Sequence, residues 1–147
     1  MIHTIKKQKF IISTLIFSLI IIIIIIFTFS VDKNTNNKIT EYIESIGWQI
    51  EKNPTEISHY KIPVEFDSVF NAYNIIQKKS GFDLANYKGK NVTTYSYRVI
   101  NHRLSNTNTV FITVILFKGN IIGADISSNE QPKFIYEINN TKELISS

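Results

Sequence analysis

The sequence predicts an α+β protein with an N-terminal transmembrane helix, followed by a small domain in which a meandering antiparallel sheet carries two helices packed on one face. Three observations predict this fold class. Residues 10–29 are almost wholly apolar, two stretches between residues 39 and 80 space their apolar side chains as helices do, and residues 92–127 alternate or run apolar as strands do.

The apolar segment has the length of a membrane span. About 20 residues at about 1.5 Å rise cover roughly 30 Å, the thickness of a hydrocarbon core, and we therefore place a transmembrane helix at residues 10–31. A cleaved signal peptide is the alternative, since Lys6, Lys7 and Lys9 precede the run. The run is about twice as long as the apolar region of a typical signal peptide, and Thr28-Phe29-Ser30 fits a cleavage site poorly, which favours an uncleaved anchor.

The charged flanks of this segment predict its orientation. Three lysines precede the apolar run, whereas Asp32 offsets Lys33 after it. The positive-inside bias then places residues 1–9 in the cytoplasm and the domain outside. The predicted localisation is the cell membrane, crossed once, with the lipid bilayer as the partner of the N-terminal helix.

Composition argues against several function classes. Once the three N-terminal lysines are set aside, 13 of the 16 basic residues remain against 12 acidic ones. The domain is nearly neutral, so nucleic-acid binding is not expected. The chain has no cysteine, which excludes disulfides, thiol chemistry and a lipoprotein anchor. His3, His59 and His102 are too scattered for a metal site, and we expect no metal and no cofactor.

Composition also predicts the domain boundaries. Residues 32–38 are polar and predict a flexible linker. The folded domain is expected over residues 39–138, and residues 139–147 are expected to fray because they have little to pack. A polar linker leaves no apolar face exposed, so the isolated soluble domain is expected to be monomeric, while the oligomeric state of the whole chain stays open.

Two helices are predicted within the domain. The first begins near Thr40, a favourable N-cap residue, and ends at Gly47. The second opens at Pro63, where the missing N–H costs nothing, and ends at Gly81. The apolar face of the second helix is formed by Phe66, Val69, Phe70, Tyr73 and Ile76.

Strand patterns occur at residues 48–51, 57–62, 92–100, 109–117 and 121–127. Residues 109–117 are apolar on both faces, which favours a central strand covered from both sides. Lys118-Gly119-Asn120 has the chemistry of a hairpin turn. Successive strands joined in this way favour a meander.

Asp125 is the most distinctive candidate site residue, because it is an acid within an apolar strand. Alternation places it on the face opposite Ile122, Ala124 and Ile126. It then either faces water or, if that face is covered, needs a partner such as Arg98 on a nearby strand.

Two further pairs suggest binding surfaces. Tyr95 and Tyr97 share one strand face about 7 Å apart, as an aromatic platform for a sugar or peptide or, more commonly, as part of the core. Lys88 and Lys90 flank Gly89 in a basic turn. The turn either holds an anionic group, such as a wall polymer or lipid headgroup, or is a solvated turn with Gly89 at positive φ.

No catalytic motif is present in the sequence, so no catalytic residue is assigned. The anchor and the missing motif favour a non-enzymatic binding or interaction module at the cell envelope, with an envelope protein or a wall polymer as its partner. The alternative is a cell-envelope enzyme that uses Asp125, Asp83 or His102 as carboxylate or imidazole acid–base residues.

Several short motifs follow one another along residues 46–126: Gly47-Trp48, Ile62-Pro63-Val64-Glu65-Phe66-Asp67, Tyr73-Asn74, Gln77, Gly81-Phe82-Asp83-Leu84, Tyr87-Lys88-Gly89-Lys90, Tyr95-Ser96-Tyr97 and Ile122-Gly123-Ala124-Asp125. With these motifs the stretch resembles a Firmicutes membrane-anchored family catalogued as domain of unknown function 4830. The sequence departs from the family at Ala124, where a second glycine is usual. The resemblance implies the domain boundaries and topology, and it implies no activity.

Overall fold

The computed structural model describes residues 16–21, 33–106 and 109–139. The chain divides into two compact units, Met1–Asn37 and Lys38–Ser147. The second unit contains an antiparallel sheet and helices. The predicted α+β class is therefore confirmed.

The predicted membrane span at residues 10–31 lies largely outside the described residues. Residues 16–21 of that segment are helical. In the part of the chain that the structure describes, no helix combines the length and the apolar character needed to cross a membrane. The tail expected to fray, residues 139–147, also lies outside the described residues apart from Asn139.

Within the described residues, the sheet has five strands in the order β1-β2-β3-β4-β5, so each strand pairs with its neighbour in sequence. The strands are β1 Glu56–Lys61, β2 Asn91–Arg98, β3 Phe111–Phe117, β4 Asn120–Ser128 and β5 Phe134–Glu137. The predicted meander is confirmed. β5 was not expected from the sequence, and the strand expected at residues 48–51 is reduced to a single bridge between Ile50 and Val99.

Helix α1 spans residues 33–45, so it begins before Thr40, the N-cap expected from the sequence. Residues 33–38, expected to form a flexible linker, belong to this helix. No proline or glycine interrupts them. The fully buried Ile39 and Ile43 fix the following turns, so the helix extends upstream at little cost.

Helix α2 spans Ser68–Lys79 and begins after Pro63, where the sequence predicted its opening. Asp67 is the N-cap, and its carboxylate accepts a hydrogen bond of 2.7 Å from the Phe70 N–H. This side-chain cap satisfies one of the N–H groups that the first turn leaves without an intrahelical partner, and it sets the start of the helix at Ser68, five residues after Pro63.

One face of the sheet packs against α1, and we call it the α1 face. Ile39 and Ile43 of α1 join a core cluster with Tyr97 of β2 and with Ile112 and Val114 of β3. All of these side chains are fully buried. Among residues 33–106 and 109–139, this cluster is larger than the one on the opposite face.

The opposite face packs against α2, and we call it the α2 face. Phe70 and Tyr73 of α2 pack on a second cluster that contains Val92 of β2 and Ile115 of β3. Side chains alternate along a strand, so Val92 and Ile115 point away from the α1 face. The expectation that both helices pack on one face is therefore wrong. β3 is apolar on both sides, and each side has its own helix.

A β-bulge interrupts the pairing of β3 with β4. The register shifts between Ile115 and Leu116, which makes Ile122 the extra residue of β4. Ile122 packs in the core of the α2 face, whereas Ala124 and Ile126 pack in that of the α1 face. The expectation that these three residues share a face is wrong at Ile122, because a bulge reverses the alternation.

Candidate functional site

A buried acid on the α2 face is the first feature of the candidate site. Asp125 lies in β4 opposite Thr113 of β3, and it is only 3% exposed. Tyr73 Oη donates a hydrogen bond of 2.7 Å to Asp125 Oδ2, and Gln77 Nε2 donates to the same oxygen at 3.1 Å. The two donors are four residues apart on α2, so one helix face presents both of them. We call these three residues the Asp125 cluster.

Gln77 connects α2 to the backbone of β4 as well as to the acid. Its side chain is fully buried, and its Oε1 accepts a hydrogen bond of 2.8 Å from the Ala124 N–H. Gly123 allows this close approach, because a Cβ there would lie 2.9 Å from Gln77 Oε1 and 2.8 Å from Ile115 Cδ1. The amide therefore occupies the space that a larger residue at position 123 would need.

The environment of the Asp125 cluster favours the protonated form of Asp125 more than an aqueous environment does. Burial raises the pKa of Asp125 to about 6, although the hydrogen bonds from Tyr73 and Gln77 act in the opposite direction. Burial and the nearby Asp125 charge also raise the pKa of Tyr60 to about 12 and that of Tyr73 well above its usual range. Tyr73 thus stays a hydrogen-bond donor while Asp125 changes its charge near pH 6.

Arg98 is not the partner of Asp125. Its Nη1 lies 3.6 Å from Glu51 Oε1, and both side chains are 47% exposed. β3 lies between the strands that carry Arg98 and Asp125, which separates their backbones by roughly 10 Å. The predicted pairing of these two residues is wrong, because Tyr73 and Gln77 reach the acid from the covering helix.

A polar groove of about 450 Å³ lies on the same sheet face and is the second feature of the candidate site. Its floor contains Ser96 and Arg98 of β2, Phe111 and Thr113 of β3, and Ser127 of β4. Ser96 pairs with Thr113 and Arg98 with Phe111, so these side chains form two rows across the sheet. The Ser96 and Thr113 hydroxyl oxygens are 3.0 Å apart and share a hydrogen bond.

Polar side chains also form the rim of the groove: Glu51, Thr55, Glu56, Thr109 and Asn129. Thr55 Oγ1 donates a hydrogen bond of 3.0 Å to the Ser96 carbonyl. The Glu130 carboxylate accepts hydrogen bonds from the Thr109 N–H at 2.9 Å and from its hydroxyl at 3.0 Å. The volume falls within the range of small-molecule sites, and the rim is held by the fold.

The structure places the tyrosine pair in the core. Tyr97 is fully buried on the α1 face, and Tyr95 is partly buried against the same cluster. Burial also raises the pKa of Tyr97. The pair thus contributes to packing, as the more common of the two interpretations held, and does not form an exposed platform.

The basic turn is held by a backbone hydrogen bond and by a contact with an aromatic ring. Gly89 has φ +72°, as predicted, and its N–H donates to the Ile62 carbonyl. Lys88 Nζ lies 4.7 Å from the centre of the Phe66 ring. Neither Lys88 nor Lys90 is among the described residues that line the polar groove.

Asp83, one of the alternative acid–base residues, caps the short 3-10 helix Leu84–Tyr87. Its Oδ1 accepts hydrogen bonds from the Asn74 amide at 2.9 Å and from the Ala85 N–H at 3.0 Å, and Lys78 lies 3.3 Å from Oδ2. The bonds from Asn74 and Ala85, together with Lys78, lower the pKa of Asp83. A low pKa and a capping role suit a structural carboxylate.

His102, the other alternative, is stacked between the Trp48 and Phe134 rings, with centroid distances of 6.0 Å and 5.5 Å. It is 1% exposed, and burial lowers the pKa of His102. Trp48 belongs to the core of the α1 face, so the fold does not bring His102 together with Asp125. Across residues 16–21, 33–106 and 109–139, no three His, Asp or Glu side chains are grouped to hold a metal ion.

Comparison with known protein families gives a match. The profile of a family described as "Domain of unknown function (DUF4830)" matches residues 42–126. This range contains the Asp125 cluster and four of the five groove-floor residues, all except Ser127. No curated protein and no solved structure matches the chain.

Proposed function

The chain belongs to the family described as domain of unknown function DUF4830, and from this premise we propose that it is a membrane-anchored, extracytoplasmic binding module of the cell envelope. The attachment is supported by the apolar run at residues 10–29 and by the lysines that precede it. The binding role is supported by the polar groove, the observation that carries the proposal.

The groove has the properties of a recognition surface for a polar ligand. Antiparallel strands supply hydroxyls in fixed rows, and the ion pair of Arg98 and Glu51 at the edge offers both a donor and an acceptor. Phe111, which lies opposite Arg98 on the neighbouring strand, adds an aromatic surface. Hydrogen-bonding groups beside a ring suit a hydroxyl- or amide-rich segment of an envelope polymer or protein.

The charge of the groove restricts the ligand class further. Glu51 and Glu56 give it two carboxylates against the one guanidinium of Arg98. A groove with this balance has no electrostatic reason to attract a polyanion. We therefore favour neutral glycan strands, or peptides that carry amino groups, over polyanionic wall polymers.

A binding titration tests the proposal. The full chain in lipid nanodiscs is titrated with soluble glycan–peptide wall fragments and, separately, with a polyanionic wall polymer. We expect the fragments to bind, and we expect Arg98→Ala and Thr113→Val to weaken that binding. Lys90→Ala, which alters a lysine outside the groove, is the matched control and should leave binding unchanged. Fragments that bind all of these proteins equally would refute the groove as the site.

One observation favours the second candidate, an envelope enzyme. Burial raises the pKa of Asp125 to about 6, a value that suits an acid–base catalyst near neutral pH. The acid is, however, covered by α2 and bonded to two of its side chains. Turnover of wall fragments that is lost in Asp125→Asn and retained in Arg98→Ala would favour the enzyme over the binding module.

A further inference from the structure

We infer that β5 is the docking edge for a second copy of this chain, and that the two β5 strands pair antiparallel about Ile135. β5 is the last strand of the sheet and has β4 as its one strand neighbour among the described residues. An edge strand presents a row of backbone donors and acceptors on its outer side, which a further strand can bind. Ile135 and Tyr136 on this edge are 40% and 45% exposed.

An apolar cavity lies beside the same edge. It has a volume of about 610 Å³, and Val69, Ala72 and Ile76 of α2 line it together with Ile135. Val69 is 75% exposed. An apolar surface next to an unpaired strand edge is a typical site of association. Ile135 lines this cavity, so a side chain opposite Ile135 on a strand paired to β5 would lie next to the cavity.

Charge complementarity selects the occupant and the register. When β5 pairs antiparallel with β5 of a second copy about Ile135, Lys133 of each copy lies opposite Glu137 of the other. The same register sets Phe134 opposite Tyr136 and the two Ile135 side chains opposite each other. Two opposite-charge pairs, two aromatic pairs and one aliphatic pair stabilise this arrangement. A two-fold axis makes both halves of the contact identical.

Other registers lose these pairs. A slip by one residue sets Ile135 opposite Tyr136, and these side chains point to opposite faces of their own strand. A slip by two residues separates Lys133 from Glu137. The other sheet edge, β1, offers one exposed aliphatic side chain, Ile57, between polar neighbours. The apolar and charged groups thus favour β5.

A four-residue edge provides a small contact, so local concentration decides whether it forms. Two copies in one membrane meet at a high effective concentration, and this step rests on the proposed attachment. The isolated domain at dilute concentration is expected to stay monomeric. The register itself does not depend on the attachment.

Cysteine cross-linking of the full chain in membranes tests the inference. The chain has no cysteine, so each variant carries a single thiol. Ile135 is exposed, so Ile135→Cys should fold normally, and directly opposed strand positions lie within disulfide reach. Under mild oxidation we expect a dimer band several-fold stronger for Ile135→Cys than for Tyr136→Cys or for Ile57→Cys on β1. Equal bands, or a stronger band for Ile57→Cys, would overturn the inference.

A charge swap on the Ile135→Cys background tests the partner residues. Lys133→Glu should reduce the dimer band because it sets like charges opposite each other, and adding Glu137→Lys should restore it. A band that is indifferent to both changes would also overturn the register. Membrane fractionation is scored separately. A chain found in the soluble fraction would count against the proposed attachment, while the cross-linking pattern is read in whichever fraction holds the chain.

Discussion

Tyr73 donates a 2.7 Å hydrogen bond to Asp125, a residue 52 positions further along the chain, and this bond joins α2 to the middle of β4. Both donors to the acid are neutral, since the second is the Gln77 amide. Such donors stabilise the carboxylate only in part, so the burial cost raises its pKa. The helix that covers this face of the sheet is thus held by a contact whose strength depends on pH.

The first prediction concerns the pH dependence of stability. The pKa of Asp125 rises from 3.8 to about 6 on folding. The folded protein therefore binds the proton more tightly, and its free energy of unfolding falls as the pH rises from about 4 to about 6, by about 3 kcal/mol. Asp125→Asn keeps a neutral side chain at every pH, so this fall should disappear. Chemical denaturation across that pH range measures it.

Asp83→Asn provides the control with the opposite sign. The pKa of Asp83 is lowered by its hydrogen bonds and by Lys78. Its contribution to stability is therefore present at neutral pH and lost as the pH falls through the lowered pKa. Asp83→Asn should weaken the protein at neutral pH and keep the fall between about pH 4 and about pH 6. Identical pH profiles for wild type and Asp125→Asn would contradict the placement of the acid.

The second prediction concerns Tyr73→Phe. Removing the hydroxyl takes away a hydrogen bond that lowers the pKa of Asp125, so that pKa should rise further. The variant should lose about 1–3 kcal/mol above pH 6, because a buried carboxylate then has one donor fewer. Carbon-13 NMR titration of the carboxyl measures the pKa directly. Tyr60→Phe is the control, and an unchanged Asp125 pKa in Tyr73→Phe would disprove the bond.

The third prediction concerns Gly123. A Cβ there would lie 2.8 Å from Ile115 Cδ1 and 2.9 Å from Gln77 Oε1. The Ile115 side chain can shift, whereas the Gln77 amide is held at both ends. We expect Gly123→Ala to lose about 1–3 kcal/mol of unfolding free energy. The double variant with Gln77→Ala should lose less unfolding free energy than the sum of the losses of the two single variants, and strict additivity would rule out this steric contact.

The fourth prediction tests the placement of α1. Ile43 is fully buried in the core of the α1 face, so Ile43→Ala should cost about 2–5 kcal/mol. Ile75, 58% exposed on α2, gives a matched control, and Ile75→Ala should change stability by less than about 0.5 kcal/mol. Chemical denaturation compares the two. Equal effects would show that α1 does not cover this face.

The fifth prediction concerns the proposed orientation in the membrane. An alkaline phosphatase fused after Ser147 should be active, because the lysines before residue 10 are expected to hold the N-terminus in the cytoplasm. A reporter that works only in the cytoplasm should be silent at the same position. The reverse pattern of activities would refute the orientation and the envelope location with it.

The strands were predictable where a local pattern carried the signal. β3 is apolar on both faces and β2 alternates, so both were expected, and Gly89 was correctly expected at positive φ. β5 was missed because its four residues follow Pro132 and carry no clear alternation. Its pairing with β4 is a long-range interaction that local propensity does not report.

The donors to Asp125 were not assigned from the sequence, although the acid itself was. The helical spacing places Tyr73 on the apolar face of its helix, and Gln77 enters only as part of a motif. Their spacing of four residues was the available signal, since it places a hydroxyl and an amide on one side of a helix. The sequence does not indicate which face of the sheet α2 covers, because β3 is apolar on both faces and either face could accept a helix. The groove was missed for the same reason.

The bulge at Ile122 has a consequence for how the chain tolerates insertions and deletions. The bulge holds one additional residue between two paired positions, Ile121 opposite Leu116 and Gly123 opposite Ile115. Deleting Ile122 while keeping the hairpin at Gly119 would therefore leave Asp125 opposite Thr113 and on its present face of the sheet. The deletion would instead remove an apolar side chain from the core of the α2 face. A change of one residue in length can thus be absorbed at this position without altering the side on which the Asp125 cluster forms.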